Sequence, residues 1–274
     1  MHAPSPVAHA EPAAAVLRED MAGVALLVLN RPERRNSLSE AMLAALTDEF
    51  SAIAGDRSVR AVVVAANGPA FCAGHDLKEL TGHRSDPDGG RAYFQDIIER
   101  CGIMMQAIVR LPQPVIAAVH AIATAAGCQL VASCDLAVAS AAARFCTPGV
   151  DIGLFCSTPM VALSRNVASK HAMEMLLTGE MVSAERAEQI GLVNRVVRPG
   201  EEREAALALA RGIAAKSMLT VRTGKQAFYR QREMALADAY RYASQVMVEN
   251  MMAHDAEEGI CAFVEKRIPH WEDR

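Results

Sequence analysis

The stretch Phe71-Cys-Ala-Gly-His-Asp-Leu-Lys-Glu-Leu80 decides the fold of this chain. An apolar run at residues 60–66 comes before it and predicts a buried strand. Two small residues, Ala73 and Gly74, then precede a predicted helix start. The first N–H groups of a helix have no partner inside the helix, so they can point at a ligand on which negative charge develops. The structural alternative is a plain strand-to-helix turn with Asp76 near the cap.

The same order of elements occurs a second time further along the chain. Residues 114–119 predict another buried strand, small residues follow at 120–127, and a short helix is predicted at 128–133 before a strand at 135–139. Strands that alternate with helices imply a largely parallel sheet with right-handed crossovers. Two such turns could aim two backbone N–H groups at one point.

The rest of the chain predicts a mixed α/β protein whose last third is mainly helical. Residues 81–90 are expected to form a mobile loop, and residues 145–153 a strand that turns into a loop. The helical last third suggests a packing or oligomerisation layer. Further predicted elements are strands at 16–19, 24–30 and 192–197, and helices at 39–55 (Ser39 as N-cap), 91–111, 160–167, 170–177, 183–190, 201–215, 219–230, 233–252 and 254–267.

Composition excludes several classes of protein. Half of the 274 residues are hydrophobic but only 4% are aromatic, which predicts an aliphatic core. A net charge of −4 argues against a nucleic-acid-binding surface. The seven cysteines show no CxxC pair and no zinc spacing, so we expect reduced thiols, no metal and a cytoplasmic protein. No apolar run approaches the ~20 residues of a membrane span. Residues 1–15, rich in Ala and Pro, are expected to be a disordered leader.

Five ordered segments resemble the crotonase superfamily, the enoyl-CoA hydratase/isomerase family. They are RPERRNSLS (31–39), AFCAGHDLKEL (70–80), PVIAAVHAIATAAGCQLVASCDLAVAS (114–140), LTGEMVSAERAEQIGLVNRVV (177–197) and AFVEKR (262–267). The resemblance covers about residues 16–270. It implies an α/β fold with a spiral core of repeated ββα turns over residues 16–200 and a helical trimerisation region over 201–274. It also implies a homotrimer or a dimer of trimers.

The resemblance implies an oxyanion hole for an acyl-CoA thioester, which would be substrate or ligand rather than a permanently bound cofactor. Its two donors would be the backbone N–H groups of His75 and Ala126. At the position of Ala126 the family usually has a glycine. Removing one donor of this kind typically costs about 2.7–4 kcal/mol of transition-state stabilisation. The residues implied in CoA binding are Arg34, Arg35, Ala73, His75, Asp76, Leu77, Lys78, Phe263 and Lys266. For Arg34, Arg35 and Lys266 the alternative is a solvated basic side chain.

The sequence departs from the family at both catalytic carboxylates. The two Glu residues of the hydratases align with Gln129 and Gly149, and hydration needs groups that can accept and donate protons. Gln129 can orient a water but cannot usefully accept a proton, and Gly149 is expected to offer only space. Asp151, on a strand, would face the same side as Gly149; its alternative role is to fix the following turn.

A few other side chains are candidates for acid–base or nucleophilic roles. The His75 imidazole, with an ordinary pKa near ~6.5, suits proton transfer, although its side chain can also point away from the ligand. Cys128 and Cys156 have no identifiable base partner, so packing is favoured. His120 is expected to make a structural hydrogen bond. Some dienoyl-CoA isomerases of the family have an Asp where this chain has Ser157. The resemblance therefore argues against dienoyl-CoA isomerisation through such an Asp.

Within the family, the segments AAGCQLVASCD and TPGVDIGLFCSTP are similar to the enoyl-CoA hydratase domain-containing protein 3 subgroup. We therefore expect an acyl-CoA-processing protein, a lyase or isomerase of fatty acid metabolism by family, in which hydration of 2-enoyl-CoA is very slow or absent. The alternative is a non-catalytic acyl-CoA-binding protein. A structural or RNA-binding role finds little support in the charge.

Overall fold

A computed structural model describes residues 14–274, so most of the expected leader lies outside the described residues. The strands are β1 Val16–Met21, β2 Val24–Leu29, β3 Ala61–Ala66, β4 Ala70–Cys72, β5 Val115–Val119, β6 Ile122–Thr124, β7 Leu136–Ser140, β8 Arg144–Cys146, β9 Val182–Ser183 and β10 Arg195–Val197. The helices are α1 Glu40–Gly55, α2 Leu77–Gly82, α3 Arg91–Arg110, α4 Ala126–Ser133, α5 Pro159–Leu163, α6 Ser169–Thr178, α7 Ala184–Gln189, α8 Glu202–Ala214, α9 Met218–Gln231, α10 Leu236–Met251 and α11 His254–Glu265.

The larger sheet has six strands in the order β1-β2-β3-β5-β7-β10. Only β1 runs antiparallel to its neighbour; the other four pairings are parallel. Every residue of β2, β3 and β5 is buried. Their continuous apolar sequences follow from this, because a parallel sheet is covered by helices on both faces.

Alternate residues of these strands enter two separate cores. Leu27 and Val64 pack into the larger core with α1, α3 and α4, whereas Leu26 and Val63 pack into a smaller core with α8. The period of two along a strand produces this division. Ala206 and Ala210, both completely buried, let α8 lie close to the sheet.

A second sheet of short strands, in the order β4-β6-β8-β9, positions the turns of interest. β4, β6 and β8 pair in parallel, and each follows one strand of the larger sheet. The chain thus repeats strand, strand, helical segment: β3-β4-α2, then β5-β6-α4, then β7-β8 and a 3-10 turn at Pro148–Ile152. The expected α/β fold of repeated ββα units is confirmed.

Several sequence-based boundaries are confirmed and others were wrong. The Ser39 hydroxyl accepts a hydrogen bond from Met42 N at 3.2 Å and caps α1 as predicted. The prediction missed β4 and β6, since three-residue strands show too little alternation to be recognised. Residues 81–90 are not simply a loop: α2 extends to Gly82, a 3-10 turn follows, and the His83 ring stacks on Tyr93 at 3.6 Å.

The C-terminal helices α9 to α11 carry many exposed apolar side chains. Leu236 and Tyr240 of α10 are 76% and 70% exposed, and Phe263 of α11 is 85% exposed. The C-terminal end of the chain folds back against the larger sheet, where Asp273 pairs at 2.6 Å with Arg60, the residue just before β3. A trimerisation role for residues 201–274 stays a prediction. Within residues 14–274 none of the helices combines the length and apolar character needed to cross a membrane.

Candidate active site

The first of the two turns joins β4 to α2. Gly74 adopts a φ of +83°, and its carbonyl accepts a hydrogen bond from Leu38 N at 2.7 Å. Asp76 caps α2, because its Oδ1 atom accepts hydrogen bonds from the amides of Lys78 at 2.9 Å and Glu79 at 3.4 Å. The cap that the structural alternative gave to Asp76 is therefore present. These bonds hold the backbone around His75 without using its N–H group.

The second turn joins β6 to α4. Ala125 has φ 49° and ψ −119°, a conformation of the second residue of a type II′ turn and one that glycine dominates. Its N–H donates to Cys146 O at 2.9 Å, and its carbonyl accepts from Gln129 N at 3.0 Å. Ala126 is the first residue of α4, two residues earlier than predicted, so its N–H has no acceptor within the helix.

The two turns touch each other. A Cβ atom added to Gly74 would lie 3.0 Å from Ala125 Cβ and 3.3 Å from Ala126 N. A Cβ added to Gly127 would lie 2.1 Å from Cys72 O, so this position requires glycine. Within residues 14–274, neither His75 N nor Ala126 N donates a hydrogen bond to any acceptor. Two unbonded amides thus belong to two turns in van der Waals contact.

The His75 side chain adds a second unsatisfied group to the first turn. Both ring nitrogens are buried, and neither has a hydrogen-bond partner in the described part of the chain. Burial lowers the pKa of His75 below its ordinary value of 6.5, because the charged form loses its hydration. The imidazole is therefore neutral at pH 7, with one N–H donor and one acceptor nitrogen.

Gln129, which the resemblance is expected to align with the first Glu of the hydratases, is nearly buried. Its side chain lies one helical turn after Ala126 on the same face of α4. Its Oε1 atom is buried and accepts no hydrogen bond from residues 14–274. Gln129 lines a cavity of about 770 Å³ that is bounded by α3, α4, α5 and α9.

Gly149, which the resemblance is expected to align with the second Glu of the hydratases, does not offer the open space expected from the sequence. A Cβ atom there would lie 2.9 Å from Leu154 O and 3.0 Å from Cys156 Sγ. Leu154 N also donates to Gly149 O at 2.9 Å, which folds the following residues over this position. The expectation was wrong because the sequence does not reveal that residues 154–156 return to Gly149.

The predicted position of Asp151, on a strand and facing the same side as Gly149, was also wrong. Residues 148–152 form a 3-10 turn rather than a strand, so the period of two does not apply. Gly149 is buried whereas Asp151 is exposed. The Asp151 carboxylate lies against Gly179, where an added Cβ would be 3.0 Å from Oδ2.

A family model described as "Enoyl-CoA hydratase/isomerase" matches residues 19–274. The chain belongs to the enoyl-CoA hydratase/isomerase family. It is 47% identical to the enoyl-CoA hydratase domain-containing protein 3, mitochondrial, of Rattus norvegicus over 249 residues, which are 91% of this chain and 81% of that protein. The Homo sapiens protein of the same name is also 47% identical, over 91% of this chain and 80% of its own length.

Solved structures give the same assignment. The crystal structure of the human domain-containing protein 3 has a TM-score of 0.89 and 45% identity, covering 94% of this chain and 100% of that one. An enoyl-CoA hydratase from Mycobacterium smegmatis has a TM-score of 0.90 and 55% identity, covering 95% and 99%. The resemblance to the crotonase superfamily and to this subgroup is confirmed.

For this family member, part of the CoA-binding set predicted from the resemblance lies together. Arg34, Asp76 and Lys78 line a cavity of about 320 Å³. The prediction missed Arg31 and Ser37, which line the same cavity and belong to the same loop segment, RPERRNSLS. The neighbouring Glu79 and Ser39 complete the lining.

The remaining predicted contacts lie elsewhere or act through the backbone. Arg35 is exposed and its carbonyl accepts from Ala73 N at 3.1 Å, which ties the RPERRNSLS loop to the first turn. Leu77 is exposed on α2. Phe263 and Lys266 are exposed on and just after α11, and neither lines the cavity of Arg34 and Lys78.

The thiols and the second histidine have structural roles. Burial raises the pKa of both Cys128 and Cys156, so neither is a ready nucleophile. His120 Nε2 donates to Gly68 O at 2.8 Å, which confirms the expected structural hydrogen bond. Residues 14–274 contain no cluster of three or more His, Cys, Asp or Glu side chains suited to a metal ion.

Proposed function

We propose that this family member binds acyl-CoA thioesters and polarises the thioester carbonyl with the amides of His75 and Ala126. The observation that carries the proposal is that two amides without acceptors belong to turns that touch. Donors fixed in advance stabilise an enolate-like oxygen without reorganisation. The protein thereby processes acyl-CoA by stabilising negative charge on the thioester oxygen, as a lyase or isomerase of fatty acid metabolism.

We also propose that this protein hydrates 2-enoyl-CoA very slowly or not at all. Addition of water needs a group that takes a proton from water and a group that delivers one to carbon. At the two aligned positions this chain has an amide, Gln129, and a glycine, Gly149. The closed packing over Gly149 supports the proposal, because it limits the room for a water molecule there.

The CoA moiety is proposed to lie beside the cavity of Arg31, Arg34 and Lys78. Guanidinium and ammonium groups suit its phosphates. Phe263 and Lys266 would join this site only from a neighbouring copy or after movement of α11, since they do not line it within one chain. No permanently bound cofactor is part of the proposal.

Self-association into a homotrimer or a dimer of trimers is proposed through the C-terminal helices. The exposed apolar side chains of α10 and α11 support it, because such surface is unfavourable in water. Light scattering coupled to size-exclusion chromatography tests it, and a monomer at micromolar concentration would reject it.

A second candidate is a protein that binds acyl-CoA without turnover. The side chains at positions 75 and 129 favour it, since the Gln129 amide does not accept a proton near pH 7 and burial lowers the pKa of His75, which makes its imidazole a weaker base. A cytoplasmic location also stays a proposal: the curated relatives above carry "mitochondrial" in their names, and cell fractionation decides it.

The deciding experiment combines binding and turnover. Crotonyl-CoA hydration is followed by absorbance beside a two-carboxylate hydratase of the family, and octanoyl-CoA binding is measured by calorimetry. We expect micromolar binding and hydration that is lower by orders of magnitude. Hydration at the rate of the reference enzyme would overturn the proposal, and so would the absence of any CoA-thioester binding. Turnover of enoyl-, dienoyl-, malonyl- or hydroxyacyl-CoA separates the enzyme from the binding protein.

A further inference from the structure

The cavity that begins at Gln129 has apolar walls and a cationic mouth. Met105, Val109 and Val161 contribute to its walls. Four arginines and a single carboxylate surround its outer part, although the whole chain has a net charge of −4. The arginines are Arg110, Arg165, Arg230 and Arg232, and the carboxylate is Glu233.

Helix α4 leads from the proposed oxyanion site to this mouth. Ala126, Gln129 and Ser133 follow one another at helical spacing on one face, and the last two line the cavity. At 1.5 Å per residue, the path from Ala126 to Ser133 is about 10 Å long. An acyl chain whose thioester oxygen is held at Ala126 N and which follows this face of α4 would pass Gln129 and enter the cavity that the arginines also line.

Among residues 14–274, one of these four arginines has an ion-pair partner. Arg165 pairs with Glu233 at 3.5 Å, and within residues 14–274 the other three make no ion pair. Arg165 donates to the carbonyl of Val161 in the last turn of α5, and Arg232 donates to the carbonyl of Arg165 in the turn after that helix. Such bonds are a common structural role at helix ends.

Arg110 and Arg230 have no such role. Arg110 donates to the neutral Gln106 amide at 2.8 Å, and Arg230 lies over the Tyr242 ring at 4.7 Å. In the described part of the chain, both are therefore cations at the cavity mouth without a carboxylate or a backbone carbonyl to bind.

We propose that this cavity receives an acyl group that ends in a carboxylate. The ligand class would be the CoA monothioester of a medium-length dicarboxylic acid. The apolar walls bind the methylene chain, and Arg110 and Arg230 bind the terminal carboxylate. This inference rests on the proposed function, because it takes the thioester oxygen to lie at Ala126 and His75.

The test compares two ligands of equal chain length, octanoyl-CoA and suberyl-CoA, by calorimetry at low salt. Because a hydrogen bond to a charged group contributes about 1.5–3 kcal/mol, we expect suberyl-CoA to bind at least about tenfold tighter. The preference should shrink as salt is added. Equal affinities for the two ligands would overturn the inference but would leave the proposed function intact, because octanoyl-CoA would still bind. Failure of both ligands to bind would reject the proposed function itself.

Variants locate the effect. The double variant Arg110→Gln/Arg230→Gln should lose the preference while keeping its affinity for octanoyl-CoA, and Arg57→Gln, an exposed arginine outside the cavity, should keep both. Should the double variant fold poorly, Glu233→Gln gives an independent readout: removal of the one carboxylate that lines this cavity among residues 14–274 should increase the preference for suberyl-CoA. A preference that neither variant changes would contradict the inference.

Discussion

Lys225 Nζ lies 2.7 Å from Asp135 Oδ2, and this buried ion pair joins α9 to the entry of β7. The same ammonium donates to the carbonyls of Ile108 and Gln113, both at 3.0 Å, so all three of its N–H donors are used. Asp135 also accepts from Tyr229 Oη at 2.9 Å. Because Tyr229 lines the large cavity, the pair fixes one wall of it.

Replacing Lys225 by Met should strongly destabilise the protein. The change removes the cation beside the buried Asp135 carboxylate, which keeps only the neutral donors Tyr229 Oη and Val115 N, and it leaves two carbonyls without their donor. Breaking a buried pair on one side typically costs about 3–5 kcal/mol. Urea unfolding measures it. The matched control is Lys170→Met, at an exposed position on α6, which should change the free energy of unfolding little. Equal stabilities of the two variants would contradict the role of the pair.

Replacing Ala125 by Gly should stabilise the fold. Ala125 has a positive φ of 49°, and strained backbone of this kind costs on the order of 1–3 kcal/mol for a residue with a Cβ. Part of this gain is offset by the entropy of glycine in the unfolded chain. Thermal or urea unfolding should show a rise of about 1 kcal/mol.

The reverse change, alanine for glycine, two residues further along the chain is its control. Gly127→Ala should destabilise, because its Cβ would lie 2.1 Å from Cys72 O. An unstable Ala125→Gly variant, or a neutral Gly127→Ala variant, would show that the second turn is not built as described.

Restoring the family carboxylates should not restore hydration. In the Gln129→Glu/Gly149→Glu variant, the second side chain meets Leu154 O and Cys156 Sγ, and overpacking typically costs about 1–3 kcal/mol. We expect reduced stability and a misplaced carboxylate. Crotonyl-CoA hydration is the readout, with Gln129→Glu alone as control. Hydration comparable to an ordinary family hydratase would show that the site opens easily.

Stability should fall as the pH drops below the ordinary pKa of histidine, in part because of His75. Burial lowers its folded-state pKa below 6.5, so the unfolded chain binds more protons between the two values. Stability therefore rises with pH through that window and is lost below it. The His75→Gln variant should lose less stability than the parent between about pH 7.5 and pH 5.5. Identical losses would show that the ring is not held neutral.

The sequence predicted the framework of the fold well. The apolar runs of β2, β3 and β5 are long and bounded by turn residues, so their burial could be predicted. Ser39 and Asp76 could be recognised as helix caps. Short pairings such as β4 with β6 were not, since three residues carry almost no periodicity. Yet this pairing brings the two turns into contact.

The candidate site could be predicted only where local sequence determines it. The turns at Gly74 and Ala126 follow from small residues after strands. The closure over Gly149 depends on the return of Leu154 and Cys156, which is a tertiary contact. Asp151 lies in a 3-10 turn, so the orientation predicted for its side chain from the alternation of a strand was wrong. The cavity mouth gathers arginines from three separate segments that nothing in the sequence links.

The most direct test measures the thioester carbonyl itself. Octanoyl-CoA labelled with ¹³C at the carbonyl carbon is bound to the protein, and its C=O stretch is compared by infrared difference spectroscopy with that of the free thioester. If the His75 and Ala126 amides both donate to this oxygen, the band should move to lower frequency, and an Ala126→Pro variant that still folds should lose part of the shift. A bound thioester whose band stays at the frequency of the free ligand would contradict the account.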